Sequence, residues 1–352
     1  MVTGKIIMMK MKVRKMMNEF KRIEFEGDYY NVAGYISNSL LTIYEKDIKE
    51  FWAQYKGEGT KIEESGAMQL GTLIHAYILE PETFRNNYFI IDCEIPRSTN
   101  QKRFVAEIVE SSTILKMSLA EILIRAYRIS YETGVENDIV ILKKAEKLYE
   151  NLQKYVEARE AETRGKKVIT WAQYKKCQKI KDAMVLHNGV YDIMFNQETV
   201  KLPELEMRWQ DEVTHVLCKA KMDMVQINTK KKQIHISDIK TTSRDFRDFY
   251  ENLEKAGYIR QLAFYTRAIK EYLKLQGVED VEKWKVSTSI VYVNTISENP
   301  PYLIGVKPTI IKKTDKDIDN MLWDIKDSIE LGWTLHGKPY ETDKNSVDKW
   351  IK

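Results

Sequence analysis

Residues 219–240 constrain the fold of this chain more than any other stretch. Their sequence, KAKMDMVQINTKKKQIHISDIK, predicts two β-strands joined by a short basic turn. Asp223 lies within the first strand, and Asp238, Ile239 and Lys240 lie near the end of the second. Since side chains alternate faces along a strand, Asp238 and Lys240 project to the same side. The hairpin therefore brings two carboxylates and a lysine together.

Metal-assisted hydrolysis of a phosphodiester requires this combination of side chains. The acids can hold Mg²⁺, and the lysine can orient or help to deprotonate the attacking water. An acid-x-Lys triplet alone is common by chance. Here the triplet is accompanied by Asp223 on the neighbouring predicted strand and by further candidate ligands elsewhere in the chain, which makes a metal site a stronger prediction.

Composition limits the classes of protein to which the chain can belong. Its 352 residues are 43% hydrophobic and 31% charged, as in a folded soluble protein, and the net charge is only +4. No apolar run approaches the roughly 20 residues that span a bilayer. Three scattered cysteines, Cys93, Cys177 and Cys218, favour a reducing cytoplasm and are too few for a four-cysteine iron–sulfur cluster.

The pattern of apolar residues changes from helical to strand-like and back along the chain. Helices are predicted over residues 36–56, 67–79, 104–160, 170–187, about 245–274 and 315–331. Strands are predicted over residues 88–91, 202–209, 215–227, 233–240, 286–295 and 301–309. This order predicts an α/β fold in which helices flank a central mixed sheet.

Three further residues are candidates for a metal site, each with a structural alternative. Glu204 and Glu206 share one face of a strand, and either could complete a set of metal ligands. For Glu206 an exposed strand face is the preferred interpretation, whereas Glu204 is interpreted as functional. His75 lies on an apolar helix, where a lone histidine is more often a core residue. Gly71, one turn earlier, could let another backbone or DNA approach it.

Polar side chains that could support the site follow in the sequence. Tyr258, Gln261 and Tyr265 share one helical face, and Thr241 and Thr242 directly follow Lys240. They could bond a phosphate or a catalytic carboxylate, or they could be core tyrosines and a polar strand end. No Walker-type loop, Gly-x-Gly-x-x-Gly or Gly-x-Ser-x-Gly motif is present, and the histidines lack zinc-like spacing.

Taken together and in order, these segments resemble the PD-(D/E)xK nucleases. Within that superfamily the chain is most similar to the RecE (exonuclease VIII) and λ-exonuclease-type phage recombination nucleases of the RecB-like group. The segments are ISNSLL…FWAQY, GTLIHAYILEP, ELEMRW, CKAKMDM, ISDIKTT and YIRQLAFY. Two departures are Asp238 where many relatives carry Glu and Met222 where they often carry Pro.

The resemblance implies a PD-(D/E)xK core that cleaves DNA ends with Mg²⁺ or Mn²⁺, without an iron–sulfur cluster. The side chains of His75, Glu204, Asp223 and Asp238 and the main-chain carbonyl of Ile239 would hold metal. Lys240 would position the water, while Tyr258, Gln261, Tyr265, Thr241 and Thr242 would brace the site and the DNA. An arm over residues 1–30 would precede a single nuclease domain over residues 31–352, with a helical insertion at about 104–160.

The same resemblance implies a 5′-to-3′ exonuclease acting on duplex ends in recombination and repair. Such an enzyme would be phage-encoded, cytoplasmic, arranged as a homo-oligomeric ring and accompanied by a single-strand annealing protein. Two alternatives stay open from the residues themselves. One is an endonuclease or flap nuclease on the same core, and the other is a non-catalytic DNA-binding module.

Overall fold

The computed structural model describes residues 20–59, 65–114, 117–132, 134, 137–297 and 300–331. These residues divide into two compact units. Of these residues, those within Met1–His75 and Asp182–Lys352 form the first, called the sheet unit, and those within Ala76–Lys181 form the second, called the helical unit. No helix in the described part of the chain is both long enough and apolar enough to cross a bilayer.

The elements in chain order are α1 (Asn38–Lys46), α2 (Ile48–Tyr55), α3 (Gly66–Leu79), α4 (Pro81–Asn87), β1 (Tyr88–Ile91), α5 (Thr99–Ile114), α6 (Leu119–Tyr131), α7 (Asp138–Thr163), β2 (Lys167–Thr170), α8 (Trp171–Leu186), α9 (Asn188–Met194), β3 (Val200–Gln210), β4 (Leu217–Asn228), β5 (Gln233–Thr242), α10 (Phe246–Glu251), α11 (Tyr258–Leu275), a 3₁₀ turn (Val281–Lys283), β6 (Lys285–Asn294), β7 (Tyr302–Val306) and α12 (Pro308–Glu330).

A five-stranded mixed sheet organises the sheet unit, in the order β3-β4-β5-β6-β7. The pairs β3–β4, β4–β5 and β6–β7 are antiparallel, and β5–β6 is parallel. Parallel neighbours need a long crossover, and α10 and α11 supply it. The predicted mixed sheet flanked by helices, including the hairpin of residues 219–240, is confirmed.

The core of the sheet unit forms where α11 covers the sheet. Leu262, Ala263 and Ile269 of α11 share one apolar cluster with Met222 of β4 and Ile236 of β5, and all five are at most 1% exposed. Burial of this area is the main stabilising contribution to folding. It also fixes the polar residues that project from the same strands.

The helical unit has its own core and a short parallel pair of strands. The strands β1 and β2 pair from Tyr88 with Lys167 to Ile91 with Thr170. Helices α5, α6 and α7 enclose an apolar cluster around Phe104, Ile122 and Leu152. The helical segment predicted at 104–160 lies within this unit.

Several predicted boundaries differ from the structure. The helix predicted over 36–56 is two helices, because Asp47 takes an extended conformation and its carboxylate caps the N–H groups of Lys49 and Glu50. Thr170, the first residue of the helix predicted over 170–187, belongs to β2, and α12 begins at Pro308 rather than at Asp315. The single domain over 31–352 and the arm over 1–30 stay predictions, and residues 1–19 of that arm lie outside the described residues.

Candidate metal centre

The two aspartates of the hairpin meet where the pairing of β4 with β5 stops. The last pair of this ladder is Met224 with Ser237, so Asp223 and Asp238 are the next residues on each strand. Asp223 Oδ2 accepts a hydrogen bond of 2.7 Å from the main-chain N–H of Ile239. A side chain thus replaces a ladder carbonyl here, and it leaves two nearly buried carboxylates (9% and 2% exposed) side by side.

Glu204 is held next to them by an unusual backbone conformation. It lies opposite Asp223 by the register of β3 and β4, and its φ of +49° falls in the left-handed region. That region is unfavourable for a residue with a side chain, and such strain collects at functional sites. The guanidinium of Arg22 donates to the carbonyl oxygens of Glu204 and Pro203, which stabilises this bend.

Lys221 is a site residue that the sequence prediction missed. Its Nζ lies 2.8 Å from Glu204 Oε2 and 5.6 Å from the ring centre of Tyr30, which is 73% exposed. The signal was present, since Lys221 precedes Asp223 by two residues and shares its face. Burial and the charge of Asp223 raise the pKa of Glu204, and Lys221 partly opposes this shift.

His75 reaches the same carboxylates from α3. Its Nδ1 is 3.7 Å from Asp223 Oδ2 and 4.0 Å from Glu204 Oε1. A Cβ at Gly71 would lie 2.9 Å from Thr241 Oγ1, so the glycine permits α3 to approach the end of β5 this closely. Burial lowers the pKa of His75, although the charge of Glu204 opposes the shift. The imidazole is therefore neutral at pH 7, the form that binds metal ions.

The donor set fits a divalent cation. Ligand atoms of His75, Glu204 and Asp223 all lie within 4.8 Å of one another. Burial, followed by the charge of Asp238, raises the pKa of Asp223 to about 8. Buried carboxylates that repel each other are unstable as bare anions, and a bound cation offsets that cost. Carboxylate oxygens and an imidazole nitrogen are both ligands of divalent cations in proteins.

Lys240 lies beside this cluster and is held on two sides. Its Nζ is 2.8 Å from Asp238 Oδ2 and 4.7 Å from the ring centre of Tyr258. Asp238 Oδ2 is buried, and among the described residues it forms this ion pair but accepts no hydrogen bond of ordinary angular geometry. Burial disfavours the charge on Lys240, but Asp238 and Asp223 outweigh it and raise its pKa. The lysine is therefore a fixed cation.

The predicted stripe of α11 faces this part of the sheet. Tyr258 contacts Lys240, and Gln261 Nε2 donates a hydrogen bond of 2.6 Å to the hydroxyl of Tyr265. Burial and the charges of Asp238 and Asp223 raise the pKa of Tyr265 well above its ordinary value, so its hydroxyl stays protonated. The stripe thus places a neutral tyrosine hydroxyl within electrostatic range of both acids.

Other predicted residues are engaged elsewhere. The hydroxyl of Thr242 accepts a hydrogen bond of 3.1 Å from the N–H of Arg244, at the end of β5. Thr241 lies against α3. Glu206 forms an ion pair with Arg208 (2.7 Å) and is not among the residues whose ligand atoms cluster. The catalytic, metal-binding and DNA-binding roles of all these residues stay predictions.

Comparisons with known proteins identify one family. The family model described as "PDDEXK-like domain of unknown function (DUF3799)" matches residues 37–283. A protein from Eubacterium rectale, provisionally described as an exonuclease, has a crystal structure that aligns with a TM-score of 0.45 and 12% identity, over 87% of this chain and 88% of that one. A likeness at this level carries no inference about activity. None of the curated proteins matches the sequence significantly.

Proposed function

This chain belongs to the family of PDDEXK-like domains, and we propose from that premise that it is a divalent-metal-dependent exonuclease of linear duplex DNA. Nucleases of this superfamily generally use divalent metal ions. The observation that carries the proposal is the group of His75, Glu204 and Asp223, with ligand atoms within 4.8 Å of one another, beside the ion pair of Asp238 and Lys240.

Some residues of the proposed site would bind the metal, and Lys240 would position the attacking water. Glu204 and Asp223 supply carboxylate oxygens, His75 supplies a neutral nitrogen, and Asp238 and the carbonyl of Ile239 complete the proposed set. When bound there, a divalent cation supplies Lewis acidity toward the phosphate and activates water at neutral pH.

Lys240 acts in this proposal as a donor rather than as a base. The charges of Asp238 and Asp223 raise its pKa, and a charged ammonium has no lone pair with which to accept the proton of the attacking water. It can hold that water by donating a hydrogen bond, or stabilise the negative charge that develops on the phosphate. Asp238 and Tyr258 fix its position, so little reorganisation is needed during the reaction.

The finer parts of the proposal rest on the resemblance to RecE and λ-exonuclease-type enzymes. They are 5′-to-3′ polarity, a preference for duplex ends, Mg²⁺ as the ion, and a role in phage recombination and repair. A ring of identical chains, a single-strand annealing partner and a cytoplasmic location belong to the same proposal.

End-labelled DNA tests the proposal. Linear duplex labelled at the 5′ or the 3′ end, and covalently closed circles, are incubated with Mg²⁺, Mn²⁺ or EDTA. The proposal predicts metal-dependent loss of linear DNA with circles spared, and release of the 5′ label first. Cutting of circles would replace the exonuclease by an endonuclease, and survival of all DNA in both metals would refute catalysis.

Two variants and a matched control tie the activity to the site. Asp238→Asn and Lys240→Met should lower the rate by about 10²–10³-fold, the typical cost of one electrostatic group at a reacting centre. Glu206→Gln changes a carboxylate on β3, two residues from Glu204, that forms an ion pair with Arg208 outside the cluster. It should cleave at the wild-type rate.

A further inference from the structure

The helical unit contains an open aromatic pocket that the proposed active site does not use. Its volume is about 420 Å³, within the range of ligand sites. Phe84 is buried at its base, whereas Tyr77, Tyr88 and Tyr174 are only half-buried. The rings of Tyr77 and Tyr174 meet edge to face at 5.7 Å, and Phe84 stacks on Tyr88 at 5.0 Å. Flat ring surfaces therefore line an opening to solvent.

Two cationic side chains line this pocket. Arg85 and Lys181 are among its lining residues, and Lys181 Nζ lies 5.3 Å from the ring centre of Tyr77. Residues 166–181, which form β2 and most of α8, contain six lysines and no acidic residue. The helical unit holds 19 Lys and Arg against 15 Asp and Glu, so its excess equals the +4 of the whole chain. The net positive charge of this protein is thus carried by the unit that contains the pocket.

An exposed aromatic residue extends the pocket along α8. Trp171 is 43% exposed, its ring lies 5.4 Å from that of Tyr174, and Lys175 Nζ lies 4.8 Å from its ring centre. Aromatic faces with lysines beside them bind unpaired nucleic-acid strands, because the rings stack on bases and the cations contact phosphates. In a duplex the faces of the bases are already stacked and cannot enter such a pocket.

We propose that this pocket, bounded by Tyr77, Tyr88, Tyr174 and Lys181, binds an unpaired base of single-stranded DNA, with the flanking phosphates on the lysines of residues 166–181. The inference rests on the proposed function in one respect, namely that DNA is the ligand. An exonuclease that removes one strand of a duplex leaves the other unpaired. The pocket gives the protein a place to hold that product strand. An acidic peptide would satisfy the lysines but would leave the aromatic faces without a partner.

Binding of labelled oligothymidylate of about ten nucleotides, a length within the range of single-strand sites, tests this proposal. The full-length protein is used in EDTA, where metal-dependent cleavage cannot occur, and binding is followed by fluorescence anisotropy. Trp171→Ala, Tyr174→Leu and Lys181→Ala should each weaken binding by about 5- to 100-fold, the range for loss of one stacking or cationic partner. Tyr174→Phe keeps the ring and should bind as the wild type does.

The sheet unit offers a matched control for these variants. Trp323 is 40% exposed, and Lys326 Nζ lies 4.6 Å from its ring centre, the same arrangement as Trp171 with Lys175. Trp323→Ala and Lys326→Ala should leave binding unchanged. Circular dichroism establishes that each variant is folded, and the peripheral changes at Trp171 and Lys181 suffice if Tyr174→Leu does not fold.

Three competitors identify the ligand. Unlabelled duplex of the same length, thymidine 5′-monophosphate and polyglutamate should each compete more than tenfold less well than the oligonucleotide. Equal competition by the mononucleotide would show that the pocket does not recognise a strand and would overturn the proposal. Equal competition by polyglutamate would also overturn it, because charge alone would then explain the binding. Equal losses of affinity in the pocket variants and the control variants would overturn it too.

The two proposals fail in different ways. If the protein binds the oligonucleotide through Trp171 and Lys181 but never cleaves DNA, the pocket stands and the proposed nuclease falls. If it cleaves DNA and these variants bind as tightly as the wild type, the pocket proposal falls alone.

Discussion

The affinity of the candidate metal centre for its cation should depend steeply on pH. Burial and the neighbouring charge of Asp238 raise the pKa of Asp223 to about 8. A cation that binds Asp223 must displace this proton, so the apparent affinity falls tenfold for each pH unit well below 8. For one proton, the affinity at pH 6 should be about 50-fold weaker than at pH 8.

Calorimetry measures both the affinity and the protons. Mn²⁺ is titrated into the metal-free protein at pH 6, 7 and 8, in pairs of buffers that differ in ionisation enthalpy. We expect close to one proton released per ion at pH 6 and about half a proton at pH 8. Glu206→Gln, whose carboxylate lies outside the cluster, should give the same profile as the wild type. An affinity that is flat from pH 6 to pH 8, with no proton release, would refute the reasoning.

The same raised pKa predicts how the metal-free protein responds to pH. Between pH 4 and pH 8 the folded protein retains a proton on Asp223 that the unfolded chain has released, since the ordinary pKa is 3.8. The free energy of unfolding should therefore decrease as the pH rises through this range. Asp223→Asn should remove this decrease, and so should saturating Mn²⁺, because the bound ion keeps Asp223 ionised in the folded state as it is in the unfolded chain. Urea unfolding at several pH values measures the effect.

Three other predictions concern Gly71, His75 and His235. Gly71→Ala places a methyl group 2.9 Å from Thr241 Oγ1, which should displace α3 and its His75 and so weaken Mn²⁺ binding measured by calorimetry. Adding Thr241→Ala should restore the binding, and a failure to restore it would argue against this contact. Mn²⁺ should raise the melting temperature of the wild type, by scanning calorimetry, but not that of His75→Ala; an equal rise in both would place the ion elsewhere. Burial and the charge of Lys201 lower the pKa of His235 to about 4, so between pH 6.5 and pH 4 the unfolded chain binds a proton that the folded protein does not. The free energy of unfolding should therefore decrease over this range, by at most about 1.4 kcal/mol per pH unit. His235→Gln should flatten this profile in urea unfolding, and an unchanged profile would contradict the role of His235.

The parts of the fold that depend on local periodicity could be predicted from the sequence. The hairpin of β4 and β5, the helix α11 and the approach of Asp223 to Asp238 follow from alternation and helical spacing alone. Asp47 shows where this reasoning is limited. Apolar spacing continues on both sides of it, but its carboxylate stabilises a new helix start more than the chain gains from continuing the first helix. Because aspartate is a preferred helix N-cap residue, Asp47 could have indicated the start of a second helix.

Features that depend on residues far apart in the sequence could not be predicted. The left-handed conformation of Glu204 depends on Arg22, which precedes it by 182 residues and holds its carbonyl. The closeness of Gly71 to Thr241 likewise depends on how α3 meets β5. Lys221 is different, because the sequence shows that it shares a strand face with Asp223. Only its ion pair with Glu204 could not be predicted. The sequence therefore predicts which strands carry the acids, and the structure shows how their side chains are brought together.

Locating the cation directly is the measurement that tests the central claim. Crystals of the protein soaked in Mn²⁺ give an anomalous signal at the position of the ion. The account predicts a peak within bonding distance of His75, Glu204 and Asp223, and its loss in Asp223→Asn. No peak at this cluster in a protein that still cleaves DNA with Mn²⁺, or a peak bound by other residues, would contradict it.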